Sequence, residues 1–166
     1  MNIYMLEVFI ISRPVDAKFI KKNPVLSRTI IIRGDQTLVQ LHKIIFKAFD
    51  RFDEHLYEFQ IGGKSPQDPN ARRYRFPSYP DGISNDYKLA RDVKQTTIDI
   101  LKLKQDQSFG YWFDFGDDWW HQVNVIEIEQ KTPKGKYPKI TNRIGESPRN
   151  IWKLTSKQNS QRALFR

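Results

Sequence analysis

The chain has 166 residues, enough for one domain to bury a core without staples, and its 39% hydrophobic and 13% aromatic content excludes a disordered chain. The absence of cysteine excludes disulfides, thiolate zinc sites and thiol catalysis, and no apolar run approaches the roughly 18 to 20 residues of a membrane span. The formal net charge of +9 is distributed unevenly. Residues 1–130 hold 18 Lys/Arg and 18 Asp/Glu, whereas residues 131–166 hold ten basic residues against the single acid Glu146.

In chain order, residues 3–11 alternate, with Tyr4, Leu6, Val8 and Ile10 on one face, and predict a strand. This N-terminus lacks the basic lead-in of a signal peptide, so a cytoplasmic location is expected. A turn at Lys21-Lys22-Asn23-Pro24 precedes a β-branched run around Thr29-Ile30-Ile31-Ile32, which Gly34 and Asp35 break. Thr37 with Gln40 three residues on predicts a capping box that satisfies the first amides of a helix. Leu38, Leu41, Ile45, Ala48, Phe49 and Phe52 then recur at helical spacing as its buried stripe, widened by Val39, His42 and Phe46.

Leu56 to Ile61 predicts a third strand, stopped by Gly62-Gly63. From there to about Gln95 runs a long connection carrying Pro66, Pro69, Pro77, Pro80 and Gly82, a length often associated with function. Thr96 to Leu103 has the look of a short helical turn. Phe109 to Phe115 alternates aromatics and predicts a strand, Gly116-Asp117-Asp118 turns the chain, and Trp119 to Glu129 returns as the second arm of a hairpin. In that turn the aspartates are expected to accept backbone N–H bonds and Gly116 to take a positive φ. Trp112 and Trp120 are the expected outward pair of the hairpin. Beyond Lys131 the sequence is turn-rich, with apolar residues only at intervals. The expected fold is α+β: a mixed or antiparallel sheet with one main helix packed on it, in the order β-β-α-β-loop-β-β, formed by residues 1–130, with residues 131–166 a basic segment packed on or extending from it.

All three histidines fall in chemically distinctive segments: Thr37-Leu38-Val39-Gln40-Leu41-His42, His55-Leu56-Tyr57-Glu58-Phe59, and Phe113-Asp114-Phe115-Gly116-Asp117-Asp118-Trp119-Trp120-His121. With Tyr4-Met5-Leu6-Glu7-Val8 these resemble the plasmid pRiA4b ORF-3-like family, from about Ile3 to Ile128. Phe113 stands where that family usually has tyrosine. The family's C-terminal signature is poorly matched by Gly145-Glu146-Ser147-Pro148-Arg149-Asn150. The resemblance implies little about activity, because the family is largely uncharacterised.

Two sets of side chains are candidate functional residues. His42, His55, Asp114, Asp117 and His121 form a motif cluster whose imidazoles and carboxylates are suitable ligand types for zinc, manganese or iron, with His42, His55 and His121 the weak metal candidates. The absence of an H-x-E or H-x-x-x-H spacing favours a packing role, and no cofactor is expected. The second set is cationic: Arg72, Arg73 and Arg75 in the long connection, and Lys134, Lys136, Lys139, Arg143 and Arg149 in the basic segment. Guanidinium forks and a segregated positive charge suit phosphate. The leading expectation is therefore a non-enzymatic binding module for nucleic acid or another polyanion. The alternatives are a metal-dependent enzyme built on the His/Asp motif and a protein-interaction domain.

Overall fold

The computed structural model describes residues 1–12, 15–76, 90–131 and 134–148. Pro77, Pro80, Gly82, Arg149, Ile151, Trp152 and Leu154 lie outside the described residues. Eight strands form one mixed sheet: β1 (Asn2–Ser12), β2 (Ser27–Arg33), β3 (Tyr57–Ile61), β4 (Arg72–Arg75), β5 (Arg91–Asp92), β6 (Ser108–Phe113), β7 (Trp119–Gln130) and β8 (Lys139–Ile144). Their spatial order is β5-β4-β3-β6-β7-β1-β2-β8, and every neighbouring pair is antiparallel except β4 and β5. Two helices, α1 (Ala17–Lys22) and α2 (Leu38–Ala48), and a 3-10 turn at Asp99–Leu101 complete the described elements.

Period-two alternation fixes which face of the sheet is dry. Tyr4, Leu6, Val8 and Ile10 of β1 join Ile30 and Ile32, Tyr57, Phe59 and Ile61, Tyr111 and Phe113, and Val123 and Val125 in one core with Leu38, Leu41, Ile45 and Ala48 of α2. The expected capping box is present: the Thr37 hydroxyl accepts from Gln40 N, and Gln40 Oε1 accepts from Thr37 N at 2.9 Å. The loop leading into α2 is pinned by Asp99, which accepts from Tyr4 Oη at 2.7 Å and from Asn2 Nδ2 at 3.0 Å. A Cβ at Gly34 would overlap that carboxylate, which is why a glycine ends β2. Burial and the Asp99 carboxylate together push the Tyr4 hydroxyl up to about 12, so it stays a donor.

The fold is mostly sheet, with eight strands and two helices where the expected order β-β-α-β-loop-β-β has five strands and one helix. The helix ends at Ala48, one turn before Phe52, and Phe52 is 54% exposed rather than part of the buried stripe. Helix α1, a six-residue element capped by Asp16, falls where only a turn is expected. The Arg72–Arg75 run forms strand β4, with Tyr74 facing the core opposite Phe59. The turn-rich segment after Lys131 contributes β8, which pairs with β2 from Ile31↔Lys139 to Ser27↔Ile144 and forms an edge of the sheet.

Candidate functional site

The motif residues converge where α2, the α2–β3 connection and the β6–β7 hairpin meet. Each is held by bonds that leave it little freedom. His42 stacks on Tyr57 with ring centroids 3.7 Å apart and planes 2° from parallel. Its Nε2 lies 3.1 Å from Glu54 Oε2 and its Nδ1 2.8 Å from Tyr111 Oη. A carboxylate only accepts, so Nε2 carries the proton and Nδ1 accepts from the tyrosine hydroxyl. Burial lowers the His42 pKa to about 4, outweighing the opposing pull of Glu54.

His121 is fully buried. Its Nδ1 is 3.1 Å from the carbonyl of Tyr111, which only accepts, and its Nε2 is 2.9 Å from Arg51 Nη2, which only donates. The ring is therefore neutral with the proton on Nδ1, and burial beside the Arg51 cation holds its pKa well below the ordinary histidine value. Arg51 is the residue that sequence reasoning missed. Its guanidinium lies over Phe113 at 4.4 Å and Trp119 at 4.9 Å, so aromatic faces take the place of a carboxylate. Arg51 Nη1 is buried with no hydrogen-bond acceptor among the described residues, and burial pushes the group down to about 10. Nothing in the local sequence marks an arginine just past a helix end for burial.

The hairpin turn is closed by Asp114. Its Oδ1 accepts from Gly116 N at 3.2 Å and Asp117 N at 3.3 Å, and its carbonyl accepts from Asp118 N at 2.8 Å. The left-handed positions are Asp114 (φ 57) and Asp118 (φ 54) instead of the expected Gly116, since aspartate tolerates that region through local bonding. His55, 42% exposed at its side chain, sits with Nε2 3.4 Å from Asp114 Oδ2. Both nitrogens of His42 and of His121 are thus engaged, and among the described residues no group of three His, Asp or Glu side chains is arranged to hold a metal ion. The motif works as a knot that ties hairpin to helix.

The other face of the sheet carries the outward tryptophans. Register places Arg75, Glu58, Trp112 and Trp120 in one row across β4, β3, β6 and β7. Trp112 stacks between Phe115, at 3.9 Å, and Trp120, at 4.9 Å and 5°, while Arg75 covers Phe115 at 5.4 Å. Trp112 Nε1 donates to Asp118 Oδ1 at 2.9 Å. Arg75 is 5% exposed and bonded to the fully buried Glu58, with Arg73 3.8 Å from the same carboxylate. The Arg75 guanidinium is engaged inside the sheet, and only Arg72 of the three is fully exposed.

The remaining cations lie at the far side. Strand β8 is six strand spacings from β4, about 29 Å at roughly 4.8 Å each, so the two cationic sets do not share a groove. Lys134, Lys136, Lys139 and Arg143 are all exposed. Arg143 bonds the carbonyl of Ala48 and sits 3.4 Å from Asp50. The same helix-end carbonyl accepts from Arg28 Nε at 2.7 Å, a fully buried guanidinium that also donates to the carbonyls of Ser27 and Ile144. Two arginines thus close the C-terminus of α2, where cations are favoured by its dipole. Beyond β8, Glu146 pairs with Lys22 at 2.6 Å and its amide donates to Asn23 Oδ1 at 2.9 Å, which joins the basic segment to α1.

A mostly-sheet fold whose His/Asp/aromatic hairpin is sealed against a helix defines a recognisable class of small domain. The family model of the plasmid pRiA4b ORF-3-like protein matches residues 15–150, and the chain belongs to that family. No curated protein matches it. Among solved structures, a protein of unknown function from Methanosarcina mazei Go1 is similar at a TM-score of 0.64 and 21% identity, over 89% of this chain and 71% of that one. That likeness concerns the fold alone. No described helix is long and apolar enough to cross a membrane.

Proposed function

We propose that this chain is a non-enzymatic binding module for nucleic acid, held through phosphates by the basic surface that its C-terminal segment makes with α1. The observation that carries this reading is the junction at Glu146. By pairing with Lys22, the single acid of the segment joins the end of β8 to α1, whose Lys18 and Lys21 are exposed, as are Lys134, Lys136 and Lys139 of the segment. Lys18 and Lys21 are in no ion pair among the described residues. Asp50 is likewise occupied by Arg143, and the acids nearest Lys139 are Glu127 and Glu129, the latter paired with Lys131. Enzymatic use of the motif finds no comparable support, because His42 and His121 are neutral and fully bonded.

Titration of a labelled 20-base-pair duplex at two salt concentrations, followed by fluorescence anisotropy, tests the proposal. With about five phosphate contacts, log affinity is expected to fall with log salt at a slope of about −4 to −5. Lys136→Glu combined with Lys139→Glu should flatten that slope and weaken binding. Absence of binding at low salt, or binding that salt leaves unchanged, would show that the basic surface is not a phosphate site.

A further inference from the structure

We propose that the free end of the tryptophan stack, at Trp120, seats an unpaired base of single-stranded nucleic acid. This goes beyond the phosphate-binding reading, because it assigns a second site and a form of nucleic acid to it. The stack runs Arg75, Phe115, Trp112, Trp120, with a guanidinium closing one end. Among the described residues no ring or cation closes the other. Trp112 is the one ring or cation seated on Trp120 among the described residues, and the Trp120 indole N–H makes no hydrogen bond there. Across the strands Trp120 faces the small Ser12, at an irregularity in the β1–β7 pairing. An indole face left half-exposed at the end of a stack is a platform for one more planar ring, and base–aromatic stacking contributes about 1 to 3 kcal/mol per base.

Beside this platform lies a groove of about 290 Å³, with Phe9, Ile11 and Val25 as apolar walls and Gln122 and Asn124 as its polar floor. Gln122 Nε2 donates to Asn124 Oδ1 at 2.9 Å, which leaves Gln122 Oε1 as an acceptor and Asn124 Nδ2 as a donor for a base edge. The volume is at the lower limit of small-molecule sites, and it suits one unit of a polymer better than a whole ligand. Charge complementarity points to a phosphodiester as the polymer. Pro24, Val25 and Leu26 of the groove follow directly on α1, whose Lys18 and Lys21 are exposed. Phosphates on that surface would bring an unpaired base to Trp120. A duplex keeps its bases stacked on each other and cannot use the platform.

The test compares labelled (dT)15 with a 15-base-pair duplex, each titrated at two salt concentrations against the full chain and its Trp120→Ala, Trp120→Phe and Asn124→Ala variants, with a thermal melt of each to verify folding. Trp120→Ala is expected to weaken (dT)15 binding on the order of tenfold and to leave duplex binding unchanged, and Trp120→Phe should restore most of the loss. Asn124→Ala should change the preference among homopolymers while leaving the salt slope unaltered. Unchanged (dT)15 binding by Trp120→Ala overturns the inference and leaves the phosphate reading standing. Salt-insensitive (dT)15 binding that Trp120→Ala abolishes does the reverse. Thymidine monophosphate binding as tightly as (dT)15 overturns the inference by making the groove a small-molecule pocket, and no binding of any strand overturns both.

Discussion

The hairpin knot and the β8 edge both collect charged residues, and they treat them in opposite ways. At the knot, Arg51 and two histidines are withdrawn from water and held by rings, a carbonyl and a tyrosine hydroxyl. Burial keeps His42 and His121 neutral, and it lowers Arg51 while leaving it a cation that the rings cover. At the edge, Lys134, Lys136, Lys139 and Arg143 are exposed to solvent. The motif histidines and Asp114 are engaged in ring contacts and local bonds, and the less distinctive lysines are the exposed charges.

The largest expected effect breaks the knot. Trp119 is 2% exposed and lies under the Arg51 guanidinium at 4.9 Å. Trp119→Ala should cost about 3 to 5 kcal/mol, from lost burial and the cavity left behind. Chemical denaturation measures this directly, and an unchanged midpoint would show that the indole is not part of the core. Duplex binding by the folded fraction should be unaffected if, as proposed, the phosphate surface lies at the basic segment and α1.

A smaller effect comes from acid. The folded-state pKa of His42, about 4, is below its ordinary value near 6.5, so between these values the unfolded chain binds more protons. Stability from this group is complete above about pH 6.5 and is lost as pH falls toward 4, a contribution of about 3 kcal/mol in order of magnitude. His121 acts in the same direction. Urea midpoints at pH 7 and pH 4.5 should therefore diverge more in the native chain than in His42→Gln, whose amide retains a donor for Glu54. An equal drop in both proteins would show that the acid sensitivity has another source.

Much of the knot and little of the edge was legible in the sequence. Alternation in β1 and the hairpin, and the Thr37/Gln40 cap, are local signals, and the strands and helix follow them. The inward Trp119 and outward Trp112 and Trp120 also follow from period two once the register is set. Strand β8 was not legible, because its Lys139-Ile140-Thr141-Asn142-Arg143-Ile144 run is an edge with mostly exposed side chains and has no buried face to impose a strict alternation. The burial of Arg28, Arg51 and Arg75 was hidden for a related reason. Each is stabilised by partners distant in the chain: Ile144 for Arg28, His121 for Arg51 and Glu58 for Arg75. The separation of Arg72 from Lys139 by most of the sheet width depends on strand order, which no local pattern encodes.

The smallest expected effect is at the joint between the β8 edge and α1, and it tests whether that edge acts by field alone. Lys22 and Glu146 are paired at 2.6 Å with both side chains mostly exposed, a geometry in which solvent screening leaves little net stabilisation. Glu146→Gln should therefore leave the melting temperature unchanged within error. The Glu146 amide, which donates to Asn23, is retained in that variant, so the chain path from β8 to α1 is preserved. What changes is charge. Removing the carboxylate beside Lys22, at a distance of about 10 Å from a phosphate bound as proposed, lowers repulsion by about 0.4 kcal/mol in water, or about twofold in affinity. Tighter duplex binding at low salt that fades at high salt is the expected result, because ions screen charges separated by a Debye length of about 10 Å at 0.1 M. If Glu146→Gln instead lowered the melting temperature by several degrees, the ion pair would be a structural clasp, and the edge would resemble the knot more than the comparison allows.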